Sequence, residues 1–201
     1  MTQADWHLVI QIFIAIGTVG VCILAIWGER IRSYVSGPRL QLRIHDARGD
    51  LTWRKSGTQT IYYHVKTENN PHRAPARNVR IFCTSIGKKR ADGSFVLEPL
   101  AFPVQLTWPF RKGGEPPTIV KDDICDFGYL DQGAPEFKAS LYNYPNNFRG
   151  FVKAGETMRF GLIAKADNFT STQPCILEVS WDGEWHADLE EMQKHLVVRE
   201  L

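Results

Sequence analysis

Hydrophobic and polar positions along the chain follow two rules, and the change falls at Ser36-Gly37-Pro38. Before it, the run LVIQIFIAIGTVGVCILAIW from Leu8 to Trp27 is nearly uninterrupted in its apolar character. About 20 such residues rise roughly 30 Å as a helix, the thickness of a bilayer core, so this segment predicts one transmembrane helix. After the change, apolar residues recur at every second position in Leu40/Leu42/Ile44, Ile61/Tyr63/Val65, Val79/Ile81/Cys83, Met158/Phe160/Leu162/Ala164 and Leu177/Val179/Trp181. A period of two is the signature of half-buried antiparallel strands. Turn clusters such as Ala47-Arg48-Gly49-Asp50, Asn69-Asn70-Pro71, Ala91-Asp92-Gly93, Lys112-Gly113-Gly114, Pro145-Asn146-Asn147 and Lys153-Ala154-Gly155-Glu156 separate them. Short strands punctuated in this way predict a mainly β domain, an antiparallel β-sandwich of immunoglobulin-like arrangement, with a barrel as the alternative. Near the C-terminus Asp188, with Glu191 three residues on, predicts a capped short helix with Leu189, Met192 and Leu196 as its apolar stripe.

The flanks of the apolar run decide what kind of segment it is. Met1 to His7 carries Asp5 and no Lys or Arg, which does not suit a cleaved secretory signal and predicts a permanent anchor. Arg30, Arg32 and Arg39 follow the run, and positive charge on that side predicts an outside N-terminus and a cytoplasmic C-terminal domain. The expected location is thus the cell inner (plasma) membrane, with Trp6 and Trp27 as interfacial anchors in contact with lipid. The expected layout is a short N-terminal segment 1–7, a transmembrane helix 8–27, a juxtamembrane helix end and linker 28–38, and a β domain 39–201. Roughly 160 residues in that last part are one domain by size.

Within the span Gln11, Ala15, Thr18, Cys22 and Ala25 are separated by four, three, four and three residues. That spacing makes one seam of small and polar side chains, which predicts a homo-oligomer formed through the helix; the alternative is a monomeric anchor. No GxxxG pair accompanies it, because Gly17 and Gly20 are three apart.

Charge and cysteine usage narrow the picture further. A formal net charge of +2 gives no general attraction for nucleic acid, and none is expected as a partner. Cys83, Cys125 and Cys175 leave an odd number of thiols in the domain without CxxC spacing, so no disulfide framework is indicated. Cys83 and Cys175 fall on strand phases expected to be buried.

Candidate chemistry is sparse. Asp122, Asp123 and Asp126 supply carboxylates of the kind that bind divalent ions, but their spacing fits no calcium loop and a solvated turn before a strand accounts for them. Asp182-Gly183-Glu184-Trp185-His186 puts two carboxylates and a His in one turn, which suits acid–base or metal chemistry only if the groups converge; Asp-Gly is first a turn signal. His45 and His64 take the outward phase of their strands and read as surface residues. GxSxG, P-loop, GxGxxG and HExxH patterns are all missing. Neither a cofactor nor a metal is expected, and binding is expected ahead of catalysis.

Two segments have the composition of recognition loops. One joins Trp108, Phe110, Arg111 and Lys112; the other carries Tyr144, Asn146, Asn147 and Arg149 among further rings and amides. The alternatives are rings folded back over the ends of the sandwich, with Asn serving turns, or a lipid-facing role for the first segment.

The stretches IWGERIRS, YYHVKTENNPHRAPARNVRIF, DICDFGYL, YPNNFRGFVKAGE and VSWDGEW together resemble a group of small bacterial single-pass membrane proteins. The resemblance spans nearly the whole chain and implies one helix followed by one β-rich domain. It implies no activity and no residue roles. The expectation is therefore a membrane-tethered binding or scaffolding module with a cytoplasmic protein partner. The competing expectations are a membrane-bound hydrolase using Asp122, Asp123, Asp126, Glu184 or His186, and a sensor whose helix is the effector.

Overall fold

The computed structural model describes residues 3–100, 102–109, 111, 115–146 and 148–201, for 3–5, 8 and 29–35 as backbone only. The chain divides into two units, residues 1–37 and 38–201.

The first unit is a single helix, α1 (Gln3–Ser36). Its stretch Val9–Gly28 is long and apolar enough to cross a membrane. Ile10, Phe13, Ile16, Val19, Ile23 and Ile26 are all exposed on the helix, which for a soluble helix would leave a continuous apolar surface in water. Thr18 Oγ1 donates to the Ile14 carbonyl at 2.8 Å, so this hydroxyl is satisfied within its own helix.

The second unit opens with strands β1 (Leu40–Ile44), β2 (Asp50–Trp53), β3 (Gln59–Asn69), β4 (Arg80–Lys89), β5 (Phe95–Glu98) and β6 (Val104–Gln105). It continues with β7 (Asp122–Asp131), β8 (Glu136–Ala139), β9 (Val152–Lys153), β10 (Glu156–Ala166), β11 (Phe169–Thr170) and β12 (Cys175–Trp181). Helix α2 (Leu189–His195) and strand β13 (Leu196–Glu200) close the chain. Among the described residues every strand pairing is antiparallel. One six-stranded sheet runs β1-β3-β7-β8-β9 with β2 also on β3; a seven-stranded sheet runs β13-β12-β10-β4-β5 with β11 on β10 and β6 on β4.

The five alternating segments expected to be strands are β1, β3, β4, β10 and β12, and their inward residues form the core. Ile61, Tyr63, Val65, Cys125, Phe127 and Phe137 of the first sheet join Ile81, Cys83, Met158, Phe160, Leu162, Leu177 and Val179 of the second in one buried cluster. Phe127 of β7 meets Phe160 of β10 edge to face at 5.4 Å, a contact from one sheet to the other. Burying a side chain of this size contributes roughly 1.5–3 kcal/mol.

Two local expectations change. Asp188 does cap α2, accepting the Glu191 N–H at 2.9 Å, but the helix ends at His195 and Leu196 begins a strand. Leu196-Val197-Val198 prefers extended backbone, and β13 completes the sheet by pairing Val198 with Val179. Cys83 is buried as expected, whereas Cys175 at the start of β12 is only half-buried because it lies at the sheet's end.

Candidate functional site

Hairpin β2–β3 and strand β7 build a surface on which aromatic rings, an imidazole and carboxylates gather around a concavity. The hairpin closes with Arg54 N–H donating to the Thr58 carbonyl at 2.9 Å and Gly57 N–H to the Arg54 carbonyl at 2.8 Å. Its register sets Asp50 opposite Tyr62 and Thr52 opposite Thr60. Across β3, His64 stands opposite Asp126, and Tyr62 opposite Tyr129.

The register shifts between Tyr63 and His64, leaving Phe127 as the extra residue of a β-bulge in β7. Because a bulge resets which residues face outward, Phe127 reaches the core while both Asp126 and Tyr129 remain on the outer side. The sequence alternation alone assigns Tyr129 to the opposite face from Asp126.

His64 is the centre of the constellation. Its Nε2 lies 3.2 Å from Asp50 Oδ2 and its Nδ1 2.9 Å from Asp126 Oδ1, the second approach falling off the hydrogen-bond direction. The side chain is only 12% exposed, so the outward-phase His is not a solvated surface residue: carboxylates and the neighbouring Tyr62 ring enclose it. Arg54 forms the adjoining wall, with Nε 2.9 Å from Asp131 Oδ1 and its guanidinium 4.6 Å above the Tyr129 ring. This pairing and stacking hold a long cation in one geometry. Burial raises the Tyr62 phenol above its ordinary pKa of 10.0, so the ring stays neutral.

Asp50, Arg54, Tyr62, His64 and Asp126, with Trp53, Pro109 and Ile124, surround a groove of about 650 Å³ whose wall is mostly apolar. Trp53 is 66% exposed at its rim. A concave, largely apolar site with a few convergent polar groups is the usual form of a binding pocket. Trp53, Tyr62 and Arg54 escaped the sequence reading. The available signal was that β3 places Tyr62 and His64, not Lys or Glu, on consecutive outward positions.

The residues singled out from sequence lie elsewhere. Gln11, Ala15, Thr18, Cys22 and Ala25 are all exposed on α1. Trp108 is only 5% exposed and belongs to the core, so its ring offers no recognition surface; the apolar cluster takes it up because it follows the buried Leu106 in the same extended phase. Phe110, Lys112 and Asn147 lie outside the described residues. Arg111 is exposed and bonded to Asp123 at 2.6 Å. Tyr144 is 42% exposed, donates its hydroxyl to the Ala139 carbonyl and packs on Phe148 and Phe151 at 5.4 and 5.5 Å. Asn146 and Arg149 are exposed beside it.

Asp122, Asp123 and Asp126, three of the four aspartates of β7, do not converge. Asp122 lies 3.2 Å from Lys66, Asp123 takes Arg111 and Asp126 faces His64, in a strand and not a turn. Glu184 and His186 do come together, joined by His195 from α2. No known protein family, curated protein or solved structure matches the chain.

Proposed function

We propose that the protein is a membrane-tethered binding module, anchored by α1 and presenting the groove beside Trp53 to a protein partner. The observation that carries this reading is the groove's composition: an exposed Trp at the rim, Tyr62, Arg54 held by Asp131 and the Tyr129 ring, and an enclosed His between two carboxylates. Trp, Tyr and Arg around a pocket are the residue types that dominate binding energy at protein interfaces.

The arginines that follow the span support an outside N-terminus and a cytoplasmic domain in the inner membrane. Strand order supports an immunoglobulin-like sandwich. In that arrangement the sheets carry strands A-B-E-D and C-F-G, and here β1-β3-β7 and β4-β10-β12 take the places of A-B-E and C-F-G. The departure is β8, which follows β7 in the chain where strand D precedes E.

Photocrosslinking in intact membranes tests the reading. A photoreactive phenylalanine in place of Trp53 is expected to give a discrete protein adduct that Tyr62→Ala weakens. The same probe in place of Leu97, 73% exposed on the other sheet, is expected to give none. Equal adducts at both positions, or none at Trp53, would sink the proposal.

A further inference from the structure

The turn after β12 and the end of α2 bring together side chains that the groove does not use. Gly183 makes the turn possible: its φ is +107°, and a Cβ there would stand 2.8 Å from Ala154 Cβ. Asp182 Oδ1 accepts the Glu184 N–H at 2.9 Å, and Trp181 Nε1–H donates to the Glu184 carbonyl at 2.9 Å, so Glu184 has a fixed place. The chain then runs through the Asp188 cap into α2, whose last residue returns to the same spot. His195 passes its carbonyl to the Asp182 N–H at 3.2 Å, and its ring Nδ1 lies 2.8 Å from Asp182 Oδ2.

The result is a compact donor set. The His186 and His195 rings stack at 4.6 Å with 19° between planes. Glu184 Oε2 is 3.6 Å from His186 Nε2, and one ligand atom from each of Glu184, His186 and His195 lies within 4.8 Å of the other two. Neighbouring ligand atoms around a tetrahedral ion with bonds of about 2.0–2.1 Å stand roughly 3.4 Å apart. Small side-chain rotations therefore close the set around one ion.

We propose that Glu184, His186 and His195 bind a divalent transition-metal ion of the zinc type. Two imidazoles and one carboxylate suit zinc and its neighbours, whereas Mg²⁺ and Ca²⁺ take oxygen donors. Three protein ligands leave the fourth position open to water or to another ligand. Asp182 holds His195 Nδ1 at 2.8 Å, which leaves Nε2 as that ring's ligand atom, 3.8 Å from Glu191 Oε1, and makes Asp182 a positioning residue that orients the ring as outer carboxylates orient metal-binding histidines. The site is independent of the groove, so failure of either reading leaves the other standing.

The test uses the full chain in detergent, carrying no histidine tag. Equilibrium dialysis is expected to give one Zn²⁺ per chain, and Co²⁺ in its place is expected to show the intense absorption of a four-coordinate ion. Glu184 and His186 side chains are 68% and 39% exposed, so Glu184→Gln and His186→Ala leave the core untouched. Each should weaken binding on the order of 100-fold, and Asp182→Asn about 10-fold, the lower end of what an outer-shell partner contributes. Absence of zinc from the wild-type chain overturns the proposal. So does zinc held equally by wild type, Glu184→Gln and His186→Ala, with His45, His64 and His72 then the donors to examine.

Discussion

Gly128 of β7 lies against the ring of Phe137 of β8, and a Cβ at residue 128 would stand 2.3 Å from Phe137 Cζ and 2.7 Å from the Lys138 carbonyl oxygen. Phe137 is fully buried, in ring contact with Tyr63 and Phe127 at 5.9 Å each, so it has little room to retreat. Gly128→Ala is expected to destabilise the domain by about 1–3 kcal/mol, the scale of overpacking a filled core. Denaturant unfolding of Gly128→Ala, Phe137→Leu and the double variant checks it. A double variant more stable than the sum of the single losses is the expected coupling, because the shortened side chain relieves the clash. Additive losses would show that the ring is not what excludes a side chain at residue 128.

Acid should weaken the outer face of the seven-stranded sheet at one point. Glu178 of β12 lies between Arg159 of β10 at 2.8 Å and Arg199 of β13 at 3.0 Å. Burial opposes ionisation of Glu178 and is the largest single influence, yet the bonds from the two guanidinium groups together outweigh it and lower the pKa from 4.5. A carboxylate with a lowered folded pKa adds stability above its unfolded pKa, and that stability disappears as pH falls through the folded value. Glu178→Gln is expected to be less stable by about 1–2 kcal/mol at pH 7, the net size of charge-assisted hydrogen bonds whose partners can return to water. Below about pH 4 the difference should shrink as the wild-type carboxyl takes up its proton. Urea unfolding of both proteins at pH 7 and pH 3 measures this, and a constant gap would contradict it.

The thiols of the domain should be nearly silent in the native protein. Burial pushes Cys83 and Cys175 up to about 12 and Cys125 well above 9.0. A shift from 9 to 12 leaves about 1,000-fold less thiolate, the reactive form. In a chain with Cys22 replaced by Ala, a disulfide reagent at pH 8 is expected to label the half-buried Cys175 first and the other two only at the rate of unfolding. Rapid labelling of Cys83 or Cys125 in native buffer would show that the core opens there.

The long-range pattern of this fold was legible because it rests on periodicity. Period two exposed β1, β3, β4, β10 and β12, and a nearly unbroken apolar run exposed α1. Strand β7 was harder to read, since DDICDFGYLD carries four acidic side chains whose partners, Lys66, Arg111, His64 and Arg54, come from other parts of the chain. The bulge at Phe127 also breaks the alternation by which a strand is recognised. Strand β13 was hidden because Leu196 continues the helical stripe of Leu189 and Met192 up to the residue where the backbone turns extended. Neither candidate site was fully legible, for the same reason. Trp53, Tyr62 and His64 are assembled by hairpin register, and His195 meets His186 only because α2 doubles back.

The seam on α1 offers a sharper test than its composition suggests. Thr18 already donates its hydroxyl to Ile14 within the helix, so among the seam residues Gln11 carries the polar group with most to gain from a second helix. If two helices meet along Gln11, Ala15, Thr18, Cys22 and Ala25, Cys22 lies at the contact, while Leu24 points about 200° away at 100° per residue. Oxidative crosslinking of the full chain in membranes is then expected to give a dimer through Cys22. Moving the only membrane thiol to residue 24, by Cys22→Ala with Leu24→Cys, should abolish it. Gln11→Leu should reduce the Cys22 crosslink by several-fold, the effect of removing an interhelical hydrogen bond of about 1 kcal/mol. Crosslinking of equal strength at both positions would mean random collision of monomeric anchors, because a thiol on any face then meets its neighbour as often as one on the seam.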